Sequence, residues 1–379
     1  MDISIYIHIP LCVKKCAYCD FTSFEGRMAQ KESYLKAVSC ELRAQAAFFG
    51  KQRVKTVFMG GGTPTLLSGD QVSFLMDELR ASFELADDAE VTMEGNPGTL
   101  TEKNLAGYRA AGVNRLSLGV QSFDDGLLAA VGRIHTAAQA ERAVQMARAA
   151  GFDNLNLDLM YGLPGQTVGQ WEQTLGRAAA LEPEHLSCYS LILEEGTPLF
   201  RQVQEKTCAL LPDEDTLCRM DNLTAEMTKT AGYERYEVSN YAKPGRQCRH
   251  NIVYWECQPY LGLGCAAHSD MGGRRFYNSS SWTAYMNGCE HPFEDDGAQD
   301  ERMFERAMMG FRMTCGMDAA RFERDFGKRP EDVWPQSIRR MTQGGLMERC
   351  GDRLRLTEHG MQVMNAILVD MLSESEGES

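Results

Sequence analysis

The stretch ISIYIHIPLCVKKCAYCDF, residues 3–21, alternates apolar side chains as a β-strand does and then gathers Cys12, Cys16 and Cys19 into a short loop. Five further β-rich runs follow it: VKTVFM from Val54, EVTMEGN from Glu90, VNRLSLGV from Val113, DNLNLDLM from Asp153 and EHLSCYSLI from Glu184. Longer amphipathic segments such as KESYLKAVSCELRAQAAFF and QVSFLMDELRASF separate them. Six strand–helix units in series predict an α/β fold with a parallel sheet and right-handed crossovers. Polar residues or glycines stand where each strand should end: Cys12, Gly60 to Thr63, Glu94, Gln121 and Asp158. Loops at the carboxyl ends of parallel strands are where such folds place ligands, so a site at that rim is expected.

The chain has 379 residues, longer than a single core usually serves, and 43% of them are hydrophobic. Its start, MDISIYIHIP, lacks a basic region and a small-residue cleavage site, and no apolar run is long enough for a membrane span. A cytoplasmic protein that is not integral to a membrane is therefore expected. Thirteen cysteines in such a chain read as packing residues or metal ligands rather than a disulfide framework. The formal charge of -14 disfavours nucleic acid as a partner.

The βα repeat stops near residue 200, which sets residues 1–200 apart as the first domain. Residues 201–300 carry HNIVYW and the glycine-rich YLGLGCAAHSD. Residues 301–372 turn helical again, and their helix, ERCGDRLRLT hairpin and second helix predict a winged-helix-like domain that serves as a helical cap. The ending SESEGES, residues 373–379, reads as a disordered tail.

Three thiolates spaced C-x3-C-x2-C can converge on one inorganic centre while leaving one coordination position open to an exogenous ligand. A zinc site completed by His8 or a distant histidine is the alternative, but no second cysteine pair accompanies the first. GGGTPT at Gly60 to Thr65 lets backbone approach a ligand closely, and it lacks the Lys-Ser/Thr of a nucleotide phosphate loop.

CVKKCAYC resembles the cluster motif of radical S-adenosylmethionine enzymes. That resemblance implies a partial (βα)6 barrel in which the three thiolates hold a [4Fe-4S] cluster and the fourth iron takes the methionine moiety of S-adenosylmethionine. It further implies that Gly61, Gly62 and Thr63 meet the cofactor, with Glu94, Gln121, Arg133 and Asp158 behind them. Glu94 and Asp158 suit ribose hydroxyls or an ammonium, and Arg133 suits a carboxylate. Tyr6 and Tyr18 are candidates for contact with cofactor or cluster, whereas His8 reads as a barrel-core residue or part of that pocket.

Together with NPGT, GVNRLSLGVQSF, GRIH and LDLMYGLPGQT, these motifs are similar to the branch containing oxygen-independent coproporphyrinogen III oxidase and the haem chaperone family HemW. The oxidase carries a further cysteine where this chain has Phe21, and an N-terminal extension that this chain lacks. HNIVYW matches the family's haem-associated motif, which makes His250 a candidate axial ligand and Tyr254 and Trp255 candidates for the haem pocket. A rival reading gathers Cys248, His250, Cys257, Cys265 and His268 into a second metal site. The resemblance implies bound haem as cargo, haem-accepting apo-proteins such as respiratory enzymes as partners, and leaves room for a cluster-bridged homodimer. The oxidative decarboxylase is the alternative function, and a radical enzyme acting on transfer RNA is a third.

Overall fold

The computed structural model describes residues 2–271, 273–288, 293–295 and 297–377. Six parallel strands run in sequence order: β1 (Asp2–Ile9), β2 (Arg53–Gly61), β3 (Glu84–Gly95), β4 (Arg115–Gln121), β5 (Leu155–Tyr161) and β6 (His185–Ser190). Helices α1 (Lys31–Phe49), α2 (Gly69–Ser82), α3 (Glu102–Ala111), α4 (Asp125–Ala130), α5 (Ala137–Ala149) and α6 (Val168–Ala180) make the crossovers. Ser68, Thr136 and Thr167 each open their helix with a capping box, which fixes where strand-end loop gives way to helix. The six strands expected from periodicity are all present. β3 begins six residues earlier than its apolar run, through the polar ELADDA.

Each strand has two unlike faces. Ile3, Ile5, Ile7 and Ile9 of β1, Leu116, Leu118 and Val120 of β4, and Leu155, Leu157 and Leu159 of β5 all join the core beneath the helices. Their alternate neighbours, Ser4, Tyr6 and His8, then Arg115 and Ser117, then Asn156 and Asp158, face the other way. A closed parallel barrel is normally filled with branched aliphatics. This partial barrel lines its inner face with polar groups, which suits a binding lumen and not a dry core.

Past β1 the sheet continues through Tyr260–Leu263, parallel to β1, and the antiparallel pair His268–Met271 and Arg274–Tyr277. The chain divides into two compact units, one of residues 1–234, 241–250 and 259–294, the other of 235–240, 251–258 and 295–379. Residues 201–300 thus contribute to both. No helix among the described residues is long and apolar enough to cross a membrane.

The second unit packs helices including Gln299–Phe311, Ala319–Phe326 and Pro335–Gln343 against a three-stranded antiparallel sheet of Met317–Asp318, Arg353–Leu356 and Met347–Cys350. Phe311, Phe322, Trp334, Leu354 and Met371 form its core. The last helix, Met364–Gly377, corrects the expectation of a disordered tail, since residues 373–377 are helical. Glu374 accepts from the backbone N–H groups of Gln336 and Ser337 at 2.8 and 2.7 Å, satisfying the start of Pro335–Gln343, and the Trp334 indole donates to Ser375 at 2.8 Å. An acidic segment reads as solvated, but here it serves as a cap. Residues 378 and 379 lie outside the described residues.

Candidate cofactor and cluster site

Cys12, Cys16 and Cys19 are free thiols on one loop at the carboxyl end of β1. The loop is fastened in three places. At its neck, Cys12 N–H donates to the Phe24 carbonyl at 3.1 Å and Phe24 N–H to the Pro10 carbonyl at 2.8 Å. In the middle, Ala17 N–H reaches Val131 O at 3.0 Å and Leu199 N–H reaches Ala17 O at 2.8 Å. Within it, Lys15 N–H donates to Glu25 at 2.7 Å, and the Lys15 ammonium donates to the Phe21 carbonyl at 2.8 Å. Among the described residues, no three His, Cys, Asp or Glu side chains are closed around a common metal position.

The glycine loop is registered against this loop by backbone. β1 and β2 pair through Ile9 and Gly61, and the ladder continues as Gly62 N–H to Ile9 O at 3.0 Å and Thr63 N–H to Leu11 O at 2.8 Å. Gly61 has a φ of +105°, and a Cβ there would lie 2.3 Å from the His8 ring. A Cβ on Gly62 would lie 2.7 Å from the Leu11 carbonyl. Only glycine fits at either position. The His8 ring nitrogens contact the Tyr6 hydroxyl at 2.9 Å and the Thr22 carbonyl at 2.8 Å. His8 therefore supports the loop, and neither nitrogen is left to complete a zinc site.

Glu94 reaches across to the same loop and accepts from Gly61 N–H at 3.1 Å. Removal from water, then the Asp158 charge, push its carboxyl up to about 8, while the Gly61 N–H and Arg115 pull the other way. Asp158 accepts from Ser117 at 3.0 Å and from Asn156 at 2.8 Å, and it too is raised, chiefly by burial. Arg133 donates through Nη1 to the Cys16 sulfur at 3.5 Å and through Nη2 to the Gly119 carbonyl. Its Nε is buried without a partner, as is Oε1 of Gln121, and Gln121 itself sits at a φ of 66°. Strained backbone and an orphaned amide at a strand end are the marks of a ligand-facing position. Tyr18 packs on Leu127, Val131 and Leu163 beside Arg133, and Tyr6 stacks on Phe58 at 6.2 Å.

The residues present fit the cofactor set. Three thiols supply the donors of an iron–sulfur cluster, a side-chain-free cradle lies beside them, and two carboxylates with an orphaned guanidinium nitrogen and amide oxygen line the same rim. Sequence reading passed over the layer beneath. Asn156 bonds Ser117 at 2.7 Å and His185 at 2.6 Å, and buried Arg115 lies two residues before Ser117 on the same strand face. The period-two pattern R-x-S-x-G-x-Q in β4 was the available signal.

His250, Tyr254 and Trp255 are not in this group. His250 is 1% exposed and lies beneath the rim at the middle of β2, where Thr56 meets its Nδ1 at 2.7 Å and Phe58, which also stacks on Tyr6, stacks on it at 5.1 Å. Its backbone N–H donates to Glu90 at 3.1 Å. Burial, with the nearby Arg115 cation, drops its pKa to about 3, so the ring is neutral. Tyr254 and Trp255 belong to the second unit, in which the Arg312 guanidinium lies 4.6 Å above the Trp255 ring. Cys248 contacts Glu90 and Cys265 contacts the Ser279 carbonyl, while His268 stacks on Tyr277, so the second metal site of the rival reading does not assemble among the described residues.

The chain matches a family model described as the Radical SAM superfamily over residues 6–178, and another described as the HemN C-terminal domain over residues 298–363. It is 39% identical to the heme chaperone HemW of Escherichia coli (strain K12), over 98% of each chain. It is 35% identical to the heme chaperone HemW of Bacillus subtilis (strain 168), over 98% of this chain and 99% of that one. The fold is similar to that of coproporphyrinogen III oxidase (HemN) from Escherichia coli, with a TM-score of 0.83 and 25% identity over 97% of this chain and 89% of that one.

Proposed function

Because the chain belongs to the HemW family of the radical S-adenosylmethionine superfamily, we propose that it binds haem in the cytoplasm and hands it to haem-requiring apo-proteins such as respiratory enzymes. Full-length likeness to heme chaperones, together with Phe21 at the position where the oxidase branch carries another cysteine, supports transfer over decarboxylation.

In this reading Cys12, Cys16 and Cys19 hold a [4Fe-4S] cluster that, with S-adenosylmethionine bound, supplies one-electron chemistry. Gly61, Gly62 and Thr63 offer a backbone edge to the cofactor. Glu94 and Asp158 accept from its ammonium and ribose hydroxyls, Arg133 donates to its carboxylate, and Gln121 fills its unmet acceptor. In the metal-free chain Arg133 contacts Cys16, and this would tie cofactor binding to the geometry of the thiol loop.

His250 is the haem ligand that HNIVYW supplies. Because the ring is 1% exposed and stacked on Phe58, ligation requires the pocket around it to open, so haem loading and the closed floor of the lumen exclude one another. Loading is then expected to speed hydrogen exchange of the β1 and β2 amides near Ser4 and Thr56.

The test is anaerobic: reconstituted protein, reductant and S-adenosylmethionine, given either haem and an apo-acceptor or coproporphyrinogen III. Haem appearing in the acceptor without protoporphyrinogen is the expected result. Repeated turnover to protoporphyrinogen would make the chain a decarboxylase.

A further inference from the structure

The neck of the thiol loop rests on an aromatic stack that no cluster or cofactor motif includes. Phe24, whose carbonyl and N–H close the loop on Cys12 and Pro10, meets the Trp282 ring edge-on at 5.5 Å. Trp282 stacks on Tyr34 of α1 at 5.1 Å and carries the Arg27 guanidinium 5.5 Å from its centroid. Tyr34 in turn donates to the His8 carbonyl at 2.8 Å and accepts from Cys265 N–H at 3.0 Å. The short helix Trp282–Met286 is itself anchored, since Tyr285 donates at 2.7 Å to Glu41, which also accepts from Asn278 and Gly264 N–H. Trp282 thus joins a fixed base, α1 with the turn after Tyr260–Leu263, to the residue that closes the loop at its neck.

We propose that Trp282 is a positioning residue for the iron–sulfur site, a clamp that holds the loop neck and with it Cys12 in register with Thr63. The proposal rests on the cluster reading above for its purpose, but the clamp itself is a property of the metal-free chain. Trp282→Ala removes both aromatic pairs that hold Phe24 to this base, and that loss opens the neck.

Trypsin reads the loop directly, because exposed Lys14 and adjacent Lys15 lie inside it. In metal-free protein, Trp282→Ala is expected to be cut at Lys14 and Lys15 about tenfold faster than wild type, with Trp282→Phe close to wild type. In reconstituted protein, a ferrous chelator should bleach the cluster absorbance of the alanine variant faster in the same order. A purely structural tryptophan would lower the melting temperature and leave both rates alone, and wild-type rates in folded Trp282→Ala overturn the clamp. If that variant does not fold, Phe24→Ala cuts the same contact from the loop side and is judged by the same rates. Wild type that takes up no cluster would sink the cluster reading, while the trypsin rates would still decide the clamp.

Discussion

Cys12 and Thr63 lie 51 positions apart and meet at 3.7 Å, sulfur to hydroxyl oxygen, because the β1–β2 ladder continues past both strands into their loops. The first thiol is therefore placed by backbone pairing and not by the metal. The other two depend on loop contacts, Cys16 through Arg133 and Cys19 through its N–H to the Cys16 carbonyl at 3.2 Å. Cys16→Ser is expected to abolish the [4Fe-4S] absorbance after anaerobic reconstitution while leaving the unfolding free energy of the metal-free chain within about 1 kcal/mol of wild type. An intact cluster spectrum in that variant would remove the basis of the radical-enzyme reading.

Glu94 makes the ligand-free protein sensitive to alkali. An unfolded glutamate titrates near ~4.3, so between there and about 8 the folded chain holds a proton that the unfolded chain has released. The stability linked to that proton is full below ~4.3 and is lost as pH rises through about 8. Melting temperatures of wild type relative to Glu94→Gln should fall from ~pH 5 to ~pH 9, and parallel curves would contradict the assignment. The same variant should bind S-adenosylmethionine at least ~tenfold more weakly, because glutamine cannot give up a proton to become the charged acceptor that a ligand ammonium would draw from Glu94.

Gly61→Ala places a methyl group 2.3 Å from the His8 ring on a backbone of positive φ. A loss of at least ~2 kcal/mol is expected from overpacking and backbone strain together. His8→Ala added to it should recover part of that loss, since it removes the clash and leaves the strained φ. Denaturant melts of the two variants measure both, and a Gly61→Ala protein as stable as wild type would show that the cradle has room to spare.

His250→Ala removes a buried ring stacked on Phe58 and leaves the Thr56 hydroxyl with a lost partner. A cost of about 3 kcal/mol is expected in the haem-free protein. The sign with pH is opposite to that of Glu94. A histidine held at about 3 contributes stability above its unfolded value near ~6.5 and loses it as pH falls toward 3, so the wild-type advantage should shrink in acid. In the haem-loaded protein the variant should show a weaker, shifted Soret band. A Soret band identical to wild type would move the iron ligand elsewhere.

Strand periodicity made the barrel readable, because the outward faces Ile3–Ile9 and Leu155–Leu159 are regular apolar rows. The cysteines, GGGT, Glu94 and Gln121 stand at a strand end or in the loop that follows, whereas Asp158 lies at the middle of β5 and Arg133 after α4, so those two were singled out by their family motifs. The second layer was hidden by its lack of any loop motif. Arg115 and Asn156 look like ordinary strand residues until the neighbouring strands are aligned and Asn156 meets Ser117 and His185. His250 shows the same limit, since HNIVYW gives no hint that the helix carrying it starts by covering Thr56 and Phe58. The chain end misled for a different reason, because Glu374 is ordered by backbone N–H groups of a helix thirty-eight residues upstream.

The two unlike faces of each strand separate what natural variation can touch. Alternate positions of β4 and β5 carry the helices, and the positions between them carry polar chemistry, so a point change at Leu157 and one at Asp158 fall on different selective pressures despite being neighbours. Substitutions can retune the lumen without remodelling the scaffold. Insertion of one residue into either strand would exchange the two sets wholesale, so this lineage can drift by replacement within its strands but must change length only in its loops.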